Sequence, residues 1–337
     1  MWNVRAVLTA GFTALMIMIA EPGVRAGGLV FTNFDGPPDN TQGTTVNGIN
    51  NLGQAIGFST AANGAFNNFI RNVDGSFTPL SFADSAEAMA NGLNANGQVV
   101  GSLGSTAFFL TNGGNTVITI PSVTGTTTAE AAFGINDHGT IVGQYTDAAT
   151  GSSPGFVLAK GSFTSLNPVA NDAQVFAQGI NNNGLVVGFY NTDGAHDHGF
   201  LFNTNTTSYT LLGDPKVANL FFTQFLGIND HDQAVGYYQT NDGSQHGFLY
   251  NIATGSYTFV DDPSAATSGF SITQITGISN SGEFDGFYVD AQTGLQRGFV
   301  AMGSVPEPSS FVLLGIGATL ATSFSVLRRA NRGRLKP

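Results

Sequence analysis

Gly134-Ile135-Asn136-Asp137-His138-Gly139-Thr140-Ile141-Val142-Gly143-Gln144-Tyr145 is two short apolar runs parted by a polar tetrad, and the line recurs along the chain. Its copies open at Gly48, Gly92, Gly134, Gly179, Gly227 and Gly277, in steps of 44, 42, 45, 48 and 50 residues. A period of this size marks stacked supersecondary units that cover one another's hydrophobic faces. Within the line, Asn at the first tetrad position and Gly at the fourth suit a type I turn closed by a left-handed residue, a common hairpin connection. Asp232 takes the place of that Gly in the fifth copy, and Asp tolerates the left-handed region better than most residues.

About a dozen residues later comes a second line, as in Gly155-Phe156-Val157, Gly199-Phe200-Leu201, Gly247-Phe248-Leu249 and Gly298-Phe299-Val300. The first two copies depart from it with Asn68-Phe69-Ile70 and Ala107-Phe108-Phe109. A third line, Ser76-Phe77-Thr78, Ser162-Phe163-Thr164, Ser208-Tyr209-Thr210 and Ser256-Tyr257-Thr258, follows. Each repeat thus offers four β-type segments joined by Gly, Asn, Asp and Ser turns, and no helical pattern interrupts them between residues 27 and 305. Four strands per unit in six units predict an all-β, six-bladed propeller rather than a sandwich. The sixth copy reaches Pro306-Glu307-Pro308 before a fourth strand fits, while Leu29-Val30-Phe31-Thr32 carries the missing signature. Phe31 precedes Gly48 by 17 residues, within the range of 15 for Phe77 to Gly92 and 20 for Tyr257 to Gly277. An N-terminal strand that completes the last blade would close the ring and remove its open edges.

The two ends read as addresses. Arg5, the apolar stretch 6–20 and the small residues of Val24-Arg25-Ala26 form a secretory signal, so residues 1–26 are assigned to it, with signal peptidase as a partner and cleavage after Ala26. The repeat domain spans 27–304. Residues 305–337 hold Pro306-Glu307-Pro308, a 17-residue apolar run from Phe311 to Leu327 read as a transmembrane helix, and a basic tail beginning with Arg328 and Arg329. That order of motif, span and basic end resembles the PEP-CTERM sorting signal. The resemblance implies processing by an exosortase-type enzyme, membrane attachment before processing, and a cell-surface or extracellular destination. The repeats resemble the HAF family of extracellular bacterial repeats, whose Gly-Ile-Asn, Gly-x-Val-Val-Gly-x-Tyr, His-Gly-Phe-Leu pattern stands almost intact in residues 179–201 and 227–249. This likeness implies an exported protein of unassigned activity and supplies no catalytic residue.

Composition excludes several chemistries. There is no cysteine, which removes disulfides, thiol catalysis and thiolate metal sites. Between residues 27 and 308 only Arg71, Lys160, Lys216 and Arg297 oppose 21 acidic residues, a net charge of −17. Such a domain repels phosphate backbones and anionic lipid, so nucleic acid is not an expected partner.

Candidate sites are sparse. His138 and His231 share one place in the turn, and His198 and His246 both precede Gly-Phe-Leu, so these histidines read as repeat pattern. His196 and His198 would share one side of a strand, but a third metal ligand is not identifiable. Calcium takes roughly six to eight oxygens, often from an Asp-x-Asp-x-Asp-Gly loop, and none occurs; Asp230-His231-Asp232 and Asp261-Asp262 read as solvated turns. No cofactor is expected. Glu87, Glu130, Glu283 and Asp285 are the carboxylates that an enzyme reading would use, without an elbow, phosphate loop or dinucleotide fingerprint to support it. Blade-to-blade loops vary most in length, which places a binding site at Asp84, Asp172, Asp214, Asp261 and Asp262. The expected function is binding of envelope or matrix material, an exopolysaccharide or an envelope protein, without catalysis. The alternative is a secreted carboxylate-dependent glycan hydrolase or lyase.

Overall fold

The computed structural model describes residues 24–26, 28–37, 42–82, 88–111, 114–118, 129–147, 150–169, 174–266 and 269–303. Of the signal segment 1–26 only Val24–Ala26 is described, and the sorting segment 305–337, with Pro306, Glu307, Pro308, Arg328 and Arg329, lies outside the described residues. Among the described residues every regular element is a strand.

The strands form six antiparallel sheets. Blade one is β3 (Gly43–Ile49), β4 (Ala55–Thr60), β5 (Phe66–Arg71) and β6 (Phe77–Leu80). Blade two is β7 (Ala88–Leu93), β8 (Val99–Leu103), β9 (Thr106–Thr111) and β10 (Gly114–Val117). Blade three is β11 (Ala129–Ile135), β12 (Ile141–Tyr145), β13 (Gly155–Ala159) and β14 (Ser162–Leu166). Blade four is β15 (Gln174–Ile180), β16 (Leu185–Asn191), β17 (His198–Asn203) and β18 (Ser208–Leu211). Blade five is β19 (Leu220–Ile228), β20 (Gln233–Thr240), β21 (Gln245–Asn251) and β22 (Ser256–Val260). Blade six joins β23 (Thr273–Ile278), β24 (Phe284–Val289) and β25 (Gln296–Gly303) to β2 (Leu29–Phe34), with β1 (Val24–Ala26) as a fifth strand outside it. The first-to-second and third-to-fourth turns therefore share one end of the axis, the hairpin face. The second-to-third turns and blade-to-blade connections form the opposite loop face.

The first Gly of each line stands where innermost strands touch. A Cβ on Gly179 would lie 3.0 Å from the Cα of Gly227, and one on Gly227 would lie 2.9 Å from the Cα of Gly277. Each innermost strand also shifts register just before this Gly, as between Ala177 and Gly179 or Val46 and Gly48, the mark of a β-bulge. The Asn two places on locks the ring. Asn136 Nδ2 donates to the Asn181 carbonyl at 2.9 Å, and Asn181 Nδ2 donates to the Asn229 carbonyl at 2.9 Å. Asn50, Asn94 and Asn229 make the same reach to the next blade. Their other atom caps the turn: Asn136 Oδ1 accepts the backbone N–H of His138 and of Thr140. In the fifth turn Asp232 has φ of 57°, the left-handed conformation that its position demands.

Outside this hub, Phe69, Phe108, Phe156, Phe200, Phe248 and Phe299 are all fully buried. All but Phe69 pack over a glycine of the neighbouring second strand; a Cβ on Gly143 would come within 2.7 Å of the Phe156 ring. Closure follows the expected route. β2 pairs with β25 from Leu29 opposite Gly303 to Phe34 opposite Gly298. Phe31 is fully buried, its ring 5.4 Å from Phe299 and 6.3 Å from Phe284.

Phe31→Ala should destabilise the ring by about 3–5 kcal/mol in denaturant unfolding, and deleting 27–34 should make it aggregate by baring a sheet edge. Asn181→Ala should cost about 1–3 kcal/mol, because the Asn229 carbonyl loses its buried donor.

Candidate functional site

On the loop face the innermost strands open into a cavity of 210 Å³ around the axis. The residue just before each hub Gly lines it: Asn47, Asn91, Phe133, Gln178, Leu226 and Thr276, one per blade. Gln224, Gln274 and Phe287 complete the wall. At five of the six hub glycines, all but Gly48, a side chain would strike the next blade, whereas the residue before the Gly differs from copy to copy. Six-fold symmetry is broken at this position.

The amides are held in different ways. Asn47 Nδ2 donates to the Ala90 carbonyl at 2.9 Å, and Asn91 Nδ2 to the Ala132 carbonyl at 3.1 Å. Gln224 Nε2 donates to Asp197 Oδ2 at 2.6 Å, while Asn191 Nδ2 holds the other carboxylate oxygen at 2.9 Å. Gln274 Nε2 donates to Gln245 Oε1 at 2.7 Å. Gln178 is half-buried and its carboxamide makes no hydrogen bond to the described residues. Behind the rim Phe176 stacks on Phe189 at 4.6 Å and approaches Phe133 at 6.3 Å. Tyr237, beside Asp197, has its phenol pushed well above the ordinary value, first by burial and then by that carboxylate. Amide donors and acceptors beside aromatic faces, without a charged group in the lining, suit an uncharged polyhydroxylated ligand.

The hairpin-face mouth is different, because its polar groups are spent on one another. Asn182 Nδ2 bridges Asp137 Oδ2 at 2.9 Å and Asp230 Oδ2 at 3.0 Å, and Asn280 and Asn51 add further amide donors to the same carboxylates. Burial raises the Asp137 carboxyl, but hydrogen bonds from Ala95, Asn182 and Asn51 outweigh it and hold the group below its usual range. This belt is a structural seam. Asp230 is thus part of a half-buried network and not the solvated turn residue expected from sequence.

Of the loop aspartates, Asp214, Asp261 and Asp262 are described, and each bonds different partners. Asp84 and Asp172 lie outside the described residues, as does Glu87. Asp214 accepts from His198 Nδ1 at 3.1 Å, and Asp261 from His246 Nδ1 at 2.8 Å, a bond that raises the His246 pKa against the effect of burial. Asp262 is 2 % exposed and burial pushes its carboxyl up, which corrects the expectation of a solvated turn. It accepts the Ser264 N–H at 2.7 Å and Asn33 Nδ2 at 3.2 Å, tying the closing strand β2 to the loop before blade six. His196 bonds Asp193 and meets the Phe221 ring, while His198 turns to Asp214, so the two imidazoles serve different partners. Glu130 accepts the Thr146 hydroxyl. No group of three or more metal-ligating side chains occurs among the described residues.

Glu283 and Asp285 belong to the hairpin end of blade six. Asp285 occupies the place held by Ile56, Val100, Val142, Val187 and Val235 in the other blades and is fully buried. Thr276 Oγ1 donates to it at 3.1 Å and to the Val46 carbonyl of blade one at 2.9 Å. Burial pushes the Asp285 carboxyl up to about 8.

Beyond the ring, comparison with known proteins assigns one segment. Residues 304–329 match the PEP-CTERM protein-sorting motif. The motif implies export, with exosortase-type processing of the C-terminus for surface sorting. No curated protein sequence matches the chain. Similar solved structures include TolB from Acinetobacter baumannii, at 11 % identity and a TM-score of 0.48, covering 78 % of this chain and 65 % of that one. A mutant Aleuria aurantia lectin in complex with Fucalpha1-6GlcNAc shares 13 % identity, with a TM-score of 0.41 over 80 % of this chain and 99 % of the lectin. An oligogalacturonate lyase from Vibrio parahaemolyticus shares 10 % identity, with a TM-score of 0.39 over 81 % and 96 %. At such identities and scores, none of their activities transfers to this chain.

Asp285 carries a pH signature. The unfolded carboxyl loses its proton near 3.8 and the folded one near 8, so between those values the native state binds more protons and stability falls as pH rises. Asp285→Val, which restores the repeat residue, should raise the melting temperature more at pH 8 than at pH 4; an equal gain at both would contradict the assignment.

Proposed function

We propose that this chain is an exported, surface-sorted propeller that binds a neutral polysaccharide of the envelope or extracellular matrix at its loop-face mouth, without catalysis. The observation that carries the reading is the lining itself, which combines five carboxamides, two phenyl rings, Leu226 and Thr276 with no charged side chain. Sugar hydroxyls pair with carboxamides, which donate and accept at once, and sugar C–H faces pack on rings such as Phe133 and Phe287. The acidic domain disfavours anionic polymers, which narrows the ligand to uncharged ones. The sorting motif supports delivery to the outside of the cell, and the resemblance of the repeats to extracellular HAF repeats points the same way. Binding is favoured over hydrolysis because glycoside cleavage calls for two converging carboxylates. Two carboxylates bond lining residues: Asp197 is committed to Asn191 and Gln224, and Asp285 is fully buried behind Thr276.

Intact protein tested against neutral and anionic polysaccharides should retain only neutral ones, without releasing fragments. Gln178→Ala and Phe133→Ala should each weaken that binding by about tenfold, corresponding to about 1.4 kcal/mol, at unchanged melting temperature. Binding unaffected by both substitutions, or turnover of any glycan, would refute the reading.

A further inference from the structure

The last described strand, β25, runs from the loop face to the hairpin face and ends at Gly303, opposite Leu29 at the start of β2. The sorting motif begins at the next residue, 304. Seven residues, 304–310, separate Gly303 from the apolar run that opens at Phe311. Fully extended they reach about 25 Å, roughly the thickness of one propeller, so the ring could turn over only with the tether drawn out straight. The hairpin end of blade six therefore stays close to wherever that apolar run is held.

The surface around this exit is apolar. Leu52, Val73 and Met302 are 58 %, 67 % and 44 % exposed, on the hairpin face of blades one and six. Glu283 lies between the two blades: a Cβ on Gly53 would touch both Val73 and Glu283, and Glu283 lines one depression with Val30, Thr32, Met302 and Gly303. The charged groups facing the patch are Glu283, Arg71 and Asp74, whose fields partly cancel. The rest of the ring is strongly acidic, which disfavours attraction to anionic headgroups and leaves apolar contact as the attractive force.

We infer that in the unprocessed chain the ring stands on its hairpin face, with Leu52, Val73 and Met302 resting on the membrane surface beside the exit of the sorting segment. The loop-face mouth then points away from the bilayer. This orientation follows from the strand direction, the tether length and the patch, and is independent of what the mouth binds.

Because the chain has no cysteine, a single introduced thiol gives a unique label. Ser281 lies in the exposed first turn of blade six on the hairpin face, and Thr192 in the exposed turn after β16 on the loop face. Full-length protein carrying Ser281→Cys or Thr192→Cys, each labelled with a fluorophore, is reconstituted in phosphatidylcholine vesicles containing nitroxide-labelled phosphatidylcholine. Quenching should be severalfold stronger at position 281 than at 192. Replacing Leu52, Val73 and Met302 together by Ser should reduce it at 281 without altering the thermal melt. Equal quenching at both positions, or quenching at 281 that ignores the triple replacement, overturns the inference. If the triple variant melts early, the ordering of the two labels in the otherwise unaltered chain still decides orientation.

Discussion

The contact on which the ring depends is backbone against backbone at the axis. Six innermost strands converge there, and at every hub glycine but Gly48 the next strand leaves no room for a Cβ; Gly179, Gly227 and Gly277 meet almost Cα to Cα. Such proximity would strand polar backbone groups in a dry place. The Asn two residues on solves this by reaching across to the next blade with its amide while capping its own hairpin with its oxygen. One side chain thus fixes both the turn and the spacing between blades. The bulge before each Gly gives the strand the bend it needs to leave the axis and enter the sheet.

That arrangement divides the molecule by end. On the hairpin face the residue after the Asn is drawn into the belt of Asp137, Asn182, Asp230 and Asn280, whose donors and acceptors satisfy one another. On the loop face the residue before the Gly differs from blade to blade: Asn47, Asn91 and Thr276 bond a carbonyl of the next blade, while Phe133, Gln178 and Leu226 stand at the same place in the other three. The lining of the mouth and a packing surface are separated by only a few residues along the same strand.

Blade six is where the pattern is relaxed. Ser279 stands where the other turns have Asn, so the amide reach to blade one is absent, and Thr276 bonds the Val46 carbonyl in its stead. Asp285, buried where other blades carry Ile or Val, sits at this same junction. The seam that joins the two ends of the chain is held by β2, by Phe31 and by the Asn33 contact with Asp262 more than by the hub.

Blade number, strand order and closure were legible in the sequence, because a fixed period and a misplaced Phe-Thr strand are one-dimensional signals. So were the glycine turns, which local backbone sterics decide, and the sorting segment, which is linear by nature. The mouth was not legible: Asn47, Gln178 and Thr276 lie far apart along the chain and meet only when the ring closes, and the signal that would have found them was the variable place before an otherwise regular Gly. The aspartates of the blade-to-blade loops looked free for the converse reason. Sequence records that Asp214, Asp261 and Asp262 are acidic and near turns, but only the fold sets His198, His246 and Asn33 against them. Periodicity is a property of neighbours in sequence, whereas the partners of a polar side chain are chosen by distances that exist only after the blades have packed.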